Sequence, residues 1–234
     1  MFDLLAFGPD GWGDEMLRGA AMTVVLAVLS FALGLLVGMA GAAAKLSGNW
    51  LLAGIAQIYT TVIRGVPELL VIYLFFFGST GAVMWVAGLF GYTEYIELDA
   101  FTIGVLAVGL ISGAYSTEVI RGAFQAIPTG QIEAGRAVGL SAAKIFTRIK
   151  IPQMLRLALP GLGNVWQLTL KDTALVSVTA LAELMRMANV ASGSTRQPFT
   201  FYIVAAILYL LMTTVSQAGF QRAERHYSRG VRRA

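Results

Sequence analysis

The sequence predicts an all-α integral membrane protein with about five transmembrane helices, its N-terminus outside and its C-terminus cytoplasmic, and three observations carry that expectation. Hydrophobic residues make up 57% of the 234 positions and charged residues 13%, about half the charged share of an ordinary soluble domain. The charges fall between uncharged runs long enough to cross a hydrocarbon layer of about 30 Å. The basic residues then segregate to alternate loops, as short cytoplasmic loops require. This length accommodates one transmembrane domain, 1–234, and no separate soluble catalytic domain.

Taken in order, the spans fall at about 17–44, 66–91, 100–124, 156–181 and 198–221. The first begins after an acidic head with Asp3, Asp10, Asp14 and Glu15. Its apolar run is far longer than the core of a cleavable signal, so it is expected to remain as an anchor. The stretch 46–63 is uncharged but carries Ser47, Asn49, Gln57, Tyr59, Thr60 and Thr61 ahead of Pro67. It reads as an interfacial helix leading into the second span. Placing it across the membrane would turn the basic segment from Arg121 to Arg156 outward, against the charge bias.

With five spans, Lys45, Arg64, Arg121, Arg136, Lys144, Arg148, Lys150, Arg156, Arg222, Arg225, Arg229, Arg232 and Arg233 fall inside, while Glu94, Glu97 and Asp99 fall outside. The net charge of +4 is accounted for by this asymmetry. The basic residues lack the interleaved aromatics of a stacking surface, so no nucleic acid is expected. Cysteine is absent, and the single His226 sits in the basic tail, which leaves neither a thiolate metal site nor a Ser-His-Asp set. No catalytic role or bound cofactor is expected of this chain.

Gly34, Gly38 and Gly41 in the first span, with Gly109 and Gly113 in the third, recur at helical spacing and predict close helix packing. Phe75, Phe76 and Phe77 read as lipid-facing or packed surface. Glu118 and Arg121 stand three apart and can pair on one face, and Tyr115 one turn earlier either borders a path or anchors helices. Arg64 and Glu68 flank Pro67 at the start of the second span.

In the cytoplasmic loop 127–155, Pro128, Thr129 and Gly130 end the helix leaving the third span. A short amphipathic helix over 132–146 follows, with Gly139 permitting a turn or a close backbone approach and Pro152 and Pro160 delimiting the return to the bilayer. The fourth span carries Lys171 and Asp172 in an otherwise apolar segment. Such charges are costly at the bilayer centre and usually face a cavity or a partner. Adjacent residues point about 100° apart, so Asn164, Gln167 and Lys171 share one face and Asp172 another. One reading makes this strip a translocation path, with Asp172 on a substrate amine, Lys171 on a carboxylate, and Thr173 and Ser177 adding hydroxyls. The other makes it a structural pair between spans, such as Lys171 with Glu118, or an interface with a partner.

Glu133-Ala134-Gly135, Gly139 and Ile149-Lys150-Ile151-Pro152 together resemble the cytoplasmic EAA loop of permease subunits of binding-protein-dependent ABC importers. That pattern runs E-A-A, three residues, G, nine residues, I-x-L-P; Gly135 replaces its second alanine and Ile151 its leucine. The likeness extends through 64–68, 113–124 and 170–177, and is similar to the polar amino acid branch that moves histidine, lysine, arginine, ornithine and opines. The resemblance implies that Glu133, Ala134, Gly135, Gly139, Ile149 and Pro152 belong to a helix that docks on an ATPase. It also implies two ATP-binding subunits that use ATP and magnesium, a second permease subunit, identical or homologous, and an extracytoplasmic amino-acid-binding protein. The location would be the inner (plasma) membrane of a prokaryote.

Independently, no Gly-Lys dipeptide occurs in the chain, so it cannot carry the phosphate-binding loop of such an ATPase. A different class stays open, an ion-coupled carrier or channel that uses Asp172 and Glu118 as a proton relay.

Overall fold

A computed structural model describes residues 3–8, 11–92 and 99–228. Asp10, Glu94, Glu97, Arg229, Arg232 and Arg233, with the side chain of Asp3, lie outside the described residues. Helices α1 (Gly13–Leu46), α2 (Trp50–Gly65), α3 (Glu68–Leu89), α4 (Ala100–Gln125), α5 (Thr129–Ala137), α6 (Ala142–Ile145), α7 (Ile151–Asp172), α8 (Leu184–Thr195) and α9 (Pro198–Tyr227) follow in order. No strand occurs among the described residues. By length and composition α1, α3, α4 and α9 can each cross a membrane. A fifth crossing is made if Ala142–Thr179 and Leu184–Thr195, bent by 48° at their break, count as one span.

α1 is the spine. At 34 residues it is about 51 Å long, and it contributes Met16, Leu26, Ala27 and Ala42 to four separate apolar clusters. Its partner is α4, the most buried of the candidate spans. The two approach closely because their contact faces carry glycine. A Cβ at Gly34 would lie 2.6 Å from Ser112 Oγ, one at Gly38 2.5 Å from Ser116 Cβ, and one at Gly109 2.7 Å from Leu33 Cδ2. Glycine here is a packing requirement, as the spacing predicted.

Asp99 starts α4. Its carboxylate accepts from the Thr102 hydroxyl at 2.6 Å and the Thr102 amide at 2.9 Å, which holds it below its ordinary value.

α2, read from the sequence as an interfacial helix, is not among the candidate crossings. Asn49 caps it by accepting from Leu51 and Leu52 amides, and Pro67 separates it from α3 as expected. Its second half, however, lies against a span, because the Tyr59 hydroxyl donates to the Leu110 carbonyl at 2.6 Å, well inside α4. Gly113 makes room for that hydroxyl. Trp50, Ile55, Ile58 and Val62 form its exposed apolar side. Phe77 is likewise 75% exposed, in keeping with a lipid-facing surface.

The fourth span differs from the continuous helix expected over 156–181. α7 ends at Asp172, Thr173–Thr179 tightens to a 3-10 turn, and Ala180 adopts φ +64°. Pro160 does not delimit anything: it sits inside α7, which runs through it. Pro152 follows a π-helical turn, Phe146–Lys150, in one continuous helical run, where its missing N–H is absorbed by the wider turn.

Beyond the break, Glu183 is fully buried, yet it accepts from the Met185 and Arg186 amides, Thr23 Oγ1 and Tyr209 OH. Four donors offset the desolvation of its carboxyl and tie α1, α8 and α9 together. Sequence reasoning assigned Glu183 no structural role. The available signal was an acceptor side chain directly ahead of a helical run.

Candidate functional site: a loop helix and a polar track

The loop after α4 is built to present a surface. Pro128 opens α5, and the helix closes in a Schellman turn in which Gly139 N–H donates to Arg136 O and Leu140 N–H to Gly135 O, both at 3.0 Å. Gly139 takes φ +77°, and nothing lies within 4 Å of where its Cβ would stand. Its role is therefore the turn and not a close approach. This turn splits the single helix expected over 132–146 into α5 and α6, the latter capped by Ser141.

Gly135 is buried where a Cβ would stand 2.8 Å from Ile149 Cδ1 and 3.3 Å from Ile145 Cγ1. That contact gives a reason for glycine at this position, and it joins two motif residues fourteen positions apart in the chain. Gln153 donates to Gln131, which ties α7 to α5 as well. Glu133, Ala134, Val138, Gly139 and Pro152 remain exposed. A carboxylate beside apolar groups on a braced helix is suited to docking another protein.

The second region is a polar track along α2, α3 and α4. Asp172, half-buried at the end of α7, lies within electrostatic range of Glu68 and Tyr115. Tyr115 OH donates to Glu68 Oε1 at 3.0 Å, and the Arg64 guanidinium stands 5.3 Å from the Tyr115 ring centroid. Arg64 then opens on a cavity of 390 Å³ lined also by Gln57, Thr60, Thr61, Glu118 and Arg121. A neighbouring cavity of 430 Å³ continues past Lys45 and Gln125.

Between the cavities lies a knot of charge. Lys45 donates to Gln57 at 2.8 Å, Thr60 at 2.6 Å and Glu118, while Arg121 grips the other Glu118 oxygen at 2.7 and 3.0 Å. The expected Glu118–Arg121 pair is present. The alternative pairing of Lys171 with Glu118 is not, because Lys45 occupies that carboxylate.

Lys171 faces the other way, into a 330 Å³ cavity with Met185, Tyr202 and Tyr209. Gln167 donates to Gln217 of α9 at 2.9 Å, and Asn164 is exposed. Thr173 is fully buried and donates to the Leu170 carbonyl, and Ser177 is half-buried on the 3-10 turn. The structure thus sets Asp172 and Glu118 along one track and separates them from Asn164, Gln167 and Lys171.

The track residues given no path role in the sequence were Lys45, Gln57, Thr60, Arg64 and Glu68. Part of their signal was present: Gln57, Thr60, Thr61 and Arg64 recur at helical spacing as one polar face of α2. Among the described residues no group of three or more carboxylates and imidazoles converges to hold a metal. Chemically, the arrangement offers a polar solute charged and hydrogen-bonding groups in series.

Comparison with known proteins finds relatives that match along nearly the whole chain. The chain is 55% identical over 230 residues to the octopine transport system permease protein of Rhizobium radiobacter, covering 98% of this chain and 97% of that protein. It is 54% identical to the nopaline transport system permease of Agrobacterium fabrum, covering 98% of each. With the histidine/lysine/arginine/ornithine transport system permease of Escherichia coli the identity is 44%, covering 96% and 98%.

Among solved structures, an amino acid ABC transporter crystallised with histidines matches with a TM-score of 0.78 at 33% identity, over 92% of this chain and 95% of that one. The MetNI methionine transporter shares the fold alone, with a TM-score of 0.72 at 16% identity. Residues 30–229 match the family described as the binding-protein-dependent transport system inner membrane component, and the chain belongs to that family, as a membrane permease subunit of an ABC amino acid or opine importer.

Proposed function

We propose that this subunit carries polar, chiefly basic, amino acids or opines inward through the track between Asp172 and Gln125, driven by ATP hydrolysis on a separate subunit docked at α5. The observation that carries this reading is the track itself: one acidic end at Asp172 and Glu68, then a stretch in which the cations Arg64, Arg121 and Lys45 outnumber the one carboxylate, Glu118. An amino acid with a cationic side chain presents both signs and can exchange one partner for the next. Relatives named for octopine, nopaline and the basic amino acids support that substrate class.

In this reading the N-terminus lies outside and the loop 127–155 faces the cytoplasm. Substrate arrives from an extracytoplasmic binding protein. Two ATP-binding subunits, using ATP and magnesium, close on α5 through Glu133, Ala134 and the Gly139 turn. Their movement passes to α4 and α7 through the Gly135–Ile149 contact and the Pro152 run, and the path changes sides. A second permease subunit, identical or homologous, completes the assembly in a prokaryotic inner membrane. The proton-relay alternative loses force because Glu118 is held by two cations and is not free to exchange protons along a wire.

Uptake into proteoliposomes tests this. Transport of a basic amino acid or opine should require ATP, the partner ATPase and the soluble binding protein, and Asp172→Asn should lower its rate or alter its substrate range. Uptake driven by a proton gradient without ATP overturns the reading. Normal rate and range in Asp172→Asn removes Asp172 from the path.

A further inference from the structure

Where the C-terminal ends of α1 and α4 meet the start of α7, a groove of 390 Å³ is walled by Met39, Ile120, Phe124, Phe146 and Met154, with Lys150 as its one charged lining residue. The volume is that of a site for a bound small molecule, about 300–1,000 Å³. Phe124 and Phe146 stack across it at 6.3 Å with their planes 10° apart.

Two features identify the occupant. Met39 on its wall, and Leu36 one turn before it on α1, are 49% and 63% exposed on a helix long and apolar enough to span the membrane, an apolar surface suited to hydrocarbon. Charge around its polar end is one-signed in sequence: between Glu133 and Lys171 the chain holds Arg136, Lys144, Arg148, Lys150 and Arg156 and no acid. Among the described residues Lys150 enters no ion pair.

We propose that the groove holds an acyl chain of an anionic phospholipid whose phosphate sits on Lys150. An aqueous anion has no use for the aromatic walls, and a neutral lipid has none for the cation. Basic pockets between spans on the cytoplasmic side bind anionic headgroups by this chemistry. A lipid here bridges α1, α4 and the helical run leading out of the loop, so its presence bears on how firmly α7 is held to the first span.

The test uses the assembled transporter, reconstituted in vesicles of equal parts phosphatidylglycerol and phosphatidylcholine, then extracted and analysed for retained lipid by native mass spectrometry. Phosphatidylglycerol should be retained over phosphatidylcholine. Lys150→Gln should reduce that preference about fivefold, Lys144→Gln, outside the groove, should leave it, and Ala43→Trp should displace both lipids by filling the groove. A photoreactive phenylalanine analogue at position 146 should give a lipid adduct in the intact complex. The proposal fails if the two lipids are retained equally, if Lys144→Gln matches Lys150→Gln, or if the adduct joins the ATPase or the second permease polypeptide.

Discussion

Replacing Gly139 by asparagine, alanine and valine isolates the contribution of one backbone turn to docking. The residue sits at φ +77° with open space where a side chain would project. Crowding is therefore absent, and the whole effect of substitution is the left-handed backbone, about 1–2 kcal/mol for an ordinary L-residue. Asparagine tolerates that region better than alanine, and a β-branched residue tolerates it worst. Relief of the strain means losing the two 3.0 Å turn hydrogen bonds that set α5 against α6.

If docking requires the native turn, its affinity falls by the same energy, a factor of about 5–30 for alanine, with asparagine milder and valine more severe. The assay is titration of the purified ATP-binding subunit against the permease pair in nanodiscs, with thermal unfolding measured in parallel. The spans lie outside the turn, so unfolding should stay unchanged. Equal affinity for all three variants would refute the assignment of Gly139 to docking geometry.

The remaining expectations concern the spans. Gly38→Ala places a Cβ 2.5 Å from Ser116 Cβ and 3.1 Å from the Ser116 carbonyl carbon; because backbone cannot yield, thermal stability should drop by about 1–3 kcal/mol, whereas Gly54→Ala, in open space, should not destabilise. Lys45→Met removes the hydrogen bonds to Gln57, Thr60 and Glu118 and should cost about 1.5–3 kcal/mol. The double variant with Glu118→Gln should lose more than Lys45→Met alone in the same unfolding assay, since Arg121 then loses its ion pair as well.

Asp99→Ala should lower the melting temperature at neutral pH. The folded Asp99 carboxyl titrates below its ordinary 3.8, so its contribution is fully present above that value and is lost as pH falls through the folded one. The difference between variant and parent should vanish in strong acid. A constant difference across the range would assign Asp99 a role other than capping.

Much of the fold was legible because it is dictated locally. A run of some twenty apolar residues has one economical conformation in a bilayer, so α1, α3, α4 and α9 followed from composition and the charge breaks. The glycines of α1 and α4 announced their contact by spacing. The loop was legible as chemistry but not as shape: Gly139 signalled a turn, yet whether it bent one helix or ended it depended on the left-handed φ. The Gly135–Ile149 contact was visible only once α5 folded back on the helical run.

Sequence by itself determined that this chain spans a membrane, that its family is that of the importer permeases, and which loop holds the family motif. Those properties live in composition, in the order of charges and in short spacings. Tertiary structure decided the partners. Glu118 pairs with Lys45, seventy-three positions away, and not with Lys171. Asp172 and Lys171, adjacent in the chain, serve opposite sides of α7. Glu183, unremarkable in sequence, locks three helices. Charges buried among helices are satisfied by whichever donors packing brings within about 3 Å, and packing is set by all the spans at once.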